Sequence, residues 1–102
     1  MFIHKDNRRT IIEWIRDYPI RSCKVIIANE DTEIGGHYHN NKEDIFYLLS
    51  GEGFYKLGNG KFKPMEIATL IPKKKRHTFQ LKKGAVVLEA STMPFDINDE
   101  LT

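Results

Sequence analysis

From Arg21 onward the apolar residues come in short runs, each closed by turn residues. Residues 21–29 form one β-rich run. Gly35 and Gly36 break the pattern, and 37–39 follows. Residues 44–49 end at Ser50-Gly51, and 54–57 lead into Asn59-Gly60 and then 61–63. Residues 67–71, 77–81 and 85–91 complete the set. Strand-sized runs at this spacing predict an all-β sandwich or barrel. Asn59-Gly60 predicts a hairpin with a type I′ turn, since both central positions of that turn need positive φ. Upstream, residues 10–18 fit helical and strand periods about equally. Their β-branched and aromatic content favours a strand, ended by Pro19. The polar tail, 93–102, is expected to fray or to dock loosely.

Side chains alternate across a strand, so His37 and His39 share a face one pleat apart and form a pincer for one metal ion. A turn over 40–43 brings the chain back. Asp44, Phe46 and Leu48 then share one face, and Glu43, Ile45 and Tyr47 the other. Phe46 and Leu48 read as lining, which turns Asp44 inward with the histidines. His77, Phe79 and Leu81 also share a face, so a third histidine can meet the first two across a small barrel. His4 has no such company and reads as an ordinary surface residue.

A chain of 102 residues holds one core, and here the expectation is a single domain over 1–102. The single cysteine, Cys23, excludes an internal disulfide; its place in a β-rich run predicts burial. The first ten residues carry charges where a signal peptide needs an apolar run, and no apolar stretch reaches membrane-spanning length. The expectation is a cytoplasmic protein with no membrane partner.

The net charge of +2 conceals an uneven distribution. Residues 61–83 hold eight basic residues against Glu66 alone, a net +7 that the rest of the chain offsets. Lysines 73 to 75 and Arg76 directly precede His77. They read either as a solvated loop or as a cationic rim that attracts a small anion. Nucleic acid fits poorly: Phe46, Phe54, Tyr55 and Phe79 fall on alternating positions expected for core, which leaves no stacking platform.

These residues resemble the cupin family. Its first motif is Gly, His-x-His, a spacer, Glu, six residues, Gly. Here His37-Tyr38-His39, four residues, Asp44, six residues and Gly51 match it. Its second motif, Gly, five residues, Pro-x-Gly, two residues, His, three residues, Asn, is matched by Pro72 and His77. Glu66 and Lys74 replace its glycines, and Leu81 replaces its Asn. The resemblance covers about 20–92 and implies a cupin-type double-stranded β-helix, a small jelly-roll barrel. It further implies a divalent transition metal (Zn, Ni, Fe, Mn or Co) held by His37, His39, Asp44 and His77. Asp44 is one methylene shorter than the family's Glu, and Glu43 beside it is the other candidate carboxylate. Glycine at the Lys74 position normally permits an unusual backbone angle, so its absence predicts a differently shaped turn.

The stretch from Asp6-Asn7-Arg8 to Gly36-His37-Tyr38-His39 is also loosely similar to cupins that modify nucleotide sugars. That likeness implies an isomerase or epimerase acting beside a sugar carbonyl. A histidine or carboxylate would take the proton, and the metal or a tyrosine such as Tyr38 or Tyr47 would stabilise the enolate. Tyr38, Phe46, Lys75 and Arg76 are the candidate substrate contacts, for a small anionic or sugar-like molecule. The alternatives are a metal-dependent oxygenase, a non-catalytic ligand-binding or sensor cupin, and a structural dimerisation domain. A homodimer is expected in each, because open edge strands need cover.

Overall fold

A computed structural model describes residues 2–66 and 68–101. Strand β1 (Phe2–Lys5) pairs antiparallel with β2 (Thr10–Glu13). Asp6 closes that hairpin by accepting from the backbone N–H groups of Arg8 and Arg9, each at 2.9 Å. The body consists of two antiparallel sheets. One contains β3 (Ser22–Ile27), β5 (Asp44–Ser50), β8 (Thr69–Ile71) and β10 (Val86–Ser91), in the order β3-β10-β5-β8. The other contains β4 (Thr32–His39), β6 (Gly53–Leu57), β7 (Lys63–Pro64), β9 (His77–Leu81) and β11 (Glu100–Leu101), in the order β11-β4-β9-β6-β7. The sheets close on Phe46, Ile71 and Val87 from the first and Phe79 and Leu81 from the second. The rings of Phe46 and Phe79 meet with centroids 4.5 Å apart. Ile67, placed by its sequence in a strand, lies outside the described residues. No helix among the described residues is long and apolar enough to cross a membrane.

Several elements differ from expectation. The strand over 10–18 stops at Glu13. The chain then crosses the outer face of β5, where Trp14 packs edge-on against Tyr47 at 5.5 Å. Tyr18 donates a hydrogen bond to the Glu43 carboxylate, which fastens this segment. Packing Trp14 on Tyr47 and bonding Tyr18 to Glu43 take the place of continued pairing. Burial and the neighbouring carboxylate raise the Tyr18 hydroxyl from 10.0 to about 12. A raised phenol favours the neutral form in the folded state, so its stabilisation is complete below pH 10 and disappears between 10 and 12. Thermal melts across that range are expected to show a fall in the parent that Tyr18→Phe makes shallower. Equal slopes would remove the role assigned to this bond.

The positive φ in the β6–β7 connection sits at Gly58 (+58°), not at Asn59-Gly60, and Gly60 N–H donates to the Leu57 carbonyl at 3.1 Å. A hairpin forms as expected, with a turn centred one residue earlier. Cys23 is exposed rather than buried, because it lies on the outer face of β3.

The turn before His77 keeps the left-handed geometry although glycine is absent, with Lys74 at φ +63°. Its N–H donates to the His39 carbonyl at 2.5 Å. That bond ties the β8–β9 turn to the end of β4 and offsets the cost of a non-glycine residue there, on the order of 1 kcal/mol.

The tail docks. Asp96 caps the short 3-10 turn Ile97–Asp99 by accepting from Asn98 N–H at 2.9 Å. Strand β11 then pairs with β4, Glu100 opposite His39 and Leu101 opposite Tyr38. Asp99 is buried, and its carboxylate accepts from Asn40 N–H (3.1 Å) and from the Asn41 side-chain amide (3.0 Å). The tail's polar residues satisfy the backbone of the 40–41 turn, which is why a polar sequence becomes ordered here.

Candidate functional site

Strand β4 passes through both glycines that were expected to break it. Ile34 pairs with Phe79, Gly35 with Thr78 and His37 with His77, so Gly36 is an extra residue bulged from the ladder. Gly35 takes φ +135° and Gly36 +71°. A Cβ on Gly35 would lie 2.5 Å from the His77 carbonyl oxygen and 2.6 Å from Thr78 Cα. The bulge and this close approach set His37 directly across from His77.

His39 lies one pleat beyond His37. The three rings form a cluster, with centroids 4.6 Å apart for His37–His77, 5.2 Å for His37–His39 and 5.7 Å for His39–His77. One nitrogen from each ring lies within 4.8 Å of the others. Each Nδ1 has an oxygen beside it. His39 Nδ1–H donates to the Asp99 carbonyl at 3.1 Å and His77 Nδ1–H to the Lys75 carbonyl at 3.0 Å. His37 Nδ1 lies 3.3 Å from the Glu100 carboxylate. These acceptors fix the tautomers and leave each Nε2 with a free lone pair. Burial, reinforced by the neighbouring imidazoles His37 and His39, pushes His77 down to about 4, against the opposing pull of the Lys75 carbonyl. Burial also lowers His37, and the Glu100 charge opposes that shift.

The cluster lines a cavity of about 180 Å³ between the sheets. Phe46, Phe79, Leu81, Val87 and Ile26 supply its apolar wall. Lys24, Lys42, Asp44, Glu89 and Glu100 supply its charged groups, and Phe95 also lines it.

His37, His39 and His77 are brought together as expected. Asp44 also faces this cavity, at 1% exposure, but does not join the histidines. It accepts from Ser91 Oγ at 2.5 Å and faces Lys42 Nζ at 3.5 Å. Glu43 points away, to Tyr18 and to the Lys73 N–H. Phe46 lines the cavity, whereas Tyr38, Lys75 and Arg76 do not. Tyr38 lies on the other side of β4, with the Arg76 guanidinium 5.3 Å from its ring. Arg76 Nη1 donates to the Gly36 carbonyl at 2.6 Å, bracing the bulge from outside. Lys75 contributes its carbonyl, not its exposed side chain. Tyr47 packs on Trp14 at the outer face. His4 is exposed beside Asp6, as expected.

The basic segment also divides in space. Residues 73–76 precede β9 at its histidine end. Lys82 and Lys83 follow β9 at the opposite end, where their N–H groups donate to the Glu52 carbonyl and the Asp31 carboxylate. A five-residue strand separates the two groups by about 17 Å, so the +7 of the sequence is not one patch.

Sequence reasoning missed Glu100, Asp99, Lys42, Glu89 and Ser91. Two of these had a local signal: Val87, Glu89 and Ser91 share a strand face, so Val87 pointing inward carries Glu89 and Ser91 with it. The others reach the site through long-range pairing and a turn.

No protein-family model and no curated protein sequence matches the chain. Solved structures do match. A 3,4-ketoisomerase from Helicobacter canadensis is 20% identical, with 98% of this chain and 84% of that chain covered and a TM-score of 0.77. A TDP-quinovose 3,4-ketoisomerase from Campylobacter jejuni is 19% identical, with 98% and 86% covered and a TM-score of 0.83. A 3'-monoepimerase from Streptomyces bikiniensis, solved in complex with dTDP-quinovose, is 18% identical, with 97% and 64% covered and a TM-score of 0.80. At these identities the likeness is one of fold, and the fold is an all-β, cupin-type jelly roll.

Proposed function

We propose that the chain is a sugar-type isomerase or epimerase that takes the carbonyl-bearing end of a nucleotide-linked sugar into the histidine-lined cavity. The observation that carries this reading is the His37–Glu100 pair facing that cavity. A carboxylate beside Nδ1 holds the ring in the tautomer whose Nε2 accepts a proton, and it stabilises the imidazolium that follows. The ketoisomerase and epimerase folds among the similar structures support the same chemistry.

The reaction needs no redox partner. His37 Nε2 takes the proton from the carbon next to the sugar carbonyl, and the electron pair passes through the new C=C bond to the carbonyl oxygen. Releasing that proton to solvent and taking one from solvent on the opposite face of the same carbon epimerises it. Returning the proton to the former carbonyl carbon, while the neighbouring hydroxyl proton moves to that carbon's oxygen, shifts the ketone by one position. A thymidine-diphosphate-linked 4-keto-6-deoxyhexose in D2O tests this. Because the imidazolium N–H exchanges with solvent before it is delivered, deuterium is expected at the carbon adjacent to the carbonyl, and complete retention of hydrogen there would overturn the reading.

One observation favours a second reading, a divalent transition metal on His37, His39 and His77. Three imidazoles with Nδ1 engaged and ligand atoms within 4.8 Å suit such an ion. When bound, it would supply Lewis-acid polarisation of a carbonyl oxygen. Asp44 is committed to Ser91 and Lys42, so the donor set is three histidines and not four residues. Elemental analysis of protein purified without a histidine tag separates the readings. Stoichiometric metal that falls in His39→Ala supports the metal centre. Metal-free protein with full exchange activity removes it.

Exposed Val25 and Ile27 on β3, at 63% and 59%, support the homodimer. Sedimentation equilibrium at micromolar protein is expected to give twice the chain mass, and a monomer would refute the dimer.

A further inference from the structure

Opposite the imidazoles, the cavity has a charged floor that the proposed chemistry has not used. Lys42 is 5% exposed. Its Nζ lies 3.5 Å from Asp44 Oδ1 and 3.5 Å from Glu89 Oε2. Ser91 Oγ lies 2.5 Å from Asp44 Oδ1 and 3.2 Å from Glu89 Oε2, bridging the two carboxylates. Lys24 Nζ approaches Glu89 Oε2 at 3.9 Å from a more open position. The Phe95 ring covers both ammoniums, with its centroid 5.2 Å from Lys24 Nζ and 5.8 Å from Lys42 Nζ.

Burying such a network is costly, and packed apolar residues would stabilise a barrel at least as well. Its position on the wall of the histidine cavity gives it another use. Both carboxylates lie farther from Lys42 than the roughly 2.7–2.9 Å of a direct charge-assisted hydrogen bond. The ammonium is therefore held between two anions without close contact to either. Among the described cavity-lining residues there is no tyrosine and no arginine, and the only ammoniums are those of Lys24 and Lys42. The lining holds three carboxylates, Asp44 and Glu89 beside those ammoniums and Glu100 beside His37, so a phosphate or carboxylate entering the cavity meets more carboxylates than ammoniums. An uncharged carbonyl does not.

We infer that Lys42 determines specificity by donating a hydrogen bond to the carbonyl oxygen of an uncharged sugar end, and that the ligand's anionic part stays outside the cavity. The inference rests on the proposed isomerase reading for the identity of the ligand. As His37 removes the neighbouring proton, charge grows on that oxygen, and Lys42 stabilises it without releasing a proton of its own.

Truncating Lys42 alone would leave Asp44 and Glu89 buried against each other. The test therefore uses Lys42→Met/Glu89→Gln, checked for folding by circular dichroism. Calorimetry compares thymidine diphosphate with its 4-keto-6-deoxyhexose conjugate. The parent is expected to bind the conjugate about tenfold more tightly, as a hydrogen bond to a charged donor predicts. The folded variant is expected to lose that increment, with thymidine diphosphate affinity unchanged within twofold. A second measurement needs no variant: in protein labelled with 15N at the lysine side chains, the Lys42 Nζ resonance is expected to shift with the conjugate and not with the nucleotide. An increment that survives in the folded variant, an increment absent from the parent, or an unmoved Lys42 resonance each overturns the assignment. Binding and resonance shifts without deuterium exchange would sink the isomerase reading and leave Lys42 as the carbonyl contact.

Discussion

His37→Asn is expected to lower solvent deuterium incorporation into the 4-keto sugar by a factor of about 10² to 10⁴, the range for removing a positioned general base. Binding of the sugar is expected to change little. His37 is the histidine at the open side of the cluster, with a side chain 16% exposed against 2% exposure for His77. It is also the one with a carboxylate at Nδ1; His39 and His77 have backbone carbonyls there. A full negative charge behind the ring stabilises the imidazolium better than a carbonyl dipole does. Asparagine can still accept the bulge geometry of β4, so the variant is expected to fold and melt like the parent. NMR detection of the exchanged position, with calorimetric binding as the control, checks both halves. Exchange within threefold of the parent would remove His37 from the role of base.

Gly35→Ala is expected to cost about 3 kcal/mol or more in urea denaturation, from overpacking and backbone strain acting together. The new methyl would press on the backbone of β9 at His77 and Thr78, which has no flexible side chain to move aside. The φ of +135° adds strain of its own. Gly36→Ala is the internal comparison. It also needs positive φ, at +71°, but its Cβ would meet nothing within 4 Å. Its cost is expected near 1 kcal/mol. Equal losses for the two would show that the close approach to β9 is not what Gly35 provides. In Gly35→Ala the register of His37 against His77 should also loosen, so exchange activity should fall further than stability explains.

Much of this was readable along the chain. Period-2 alternation is a property of the extended backbone itself. It put His37 with His39, His77 with Phe79, and Asp44 with Phe46 on shared faces wherever the strands lay. Spacing and turn residues also predicted the all-β architecture, because edges and turns need particular residue types in any such fold. Alternation could not say which groups would face one another across the barrel. Asp44 points inward as its face requires, yet Lys42 and Ser91 engage it, Lys42 from the adjoining turn and Ser91 only after β5 pairs with β10. Tyr38 and Arg76 were placed near His37 and His77 by sequence, and they pack together outside the cavity because β4 turns its odd and even residues to opposite sides. The +7 segment divided because β9 carries its two halves to opposite ends.

What the sequence by itself determined is the all-β class and the shared faces of 37/39, 44/46/48 and 77/79/81, since alternation follows from local backbone geometry. The tertiary structure decided which charges reach the histidines. Glu100 arrives by pairing β11 with β4, and Lys42 meets Glu89 by pairing β5 with β10. Such contacts join residues tens of positions apart, and their free energy comes from long-range pairing and burial that no local pattern encodes.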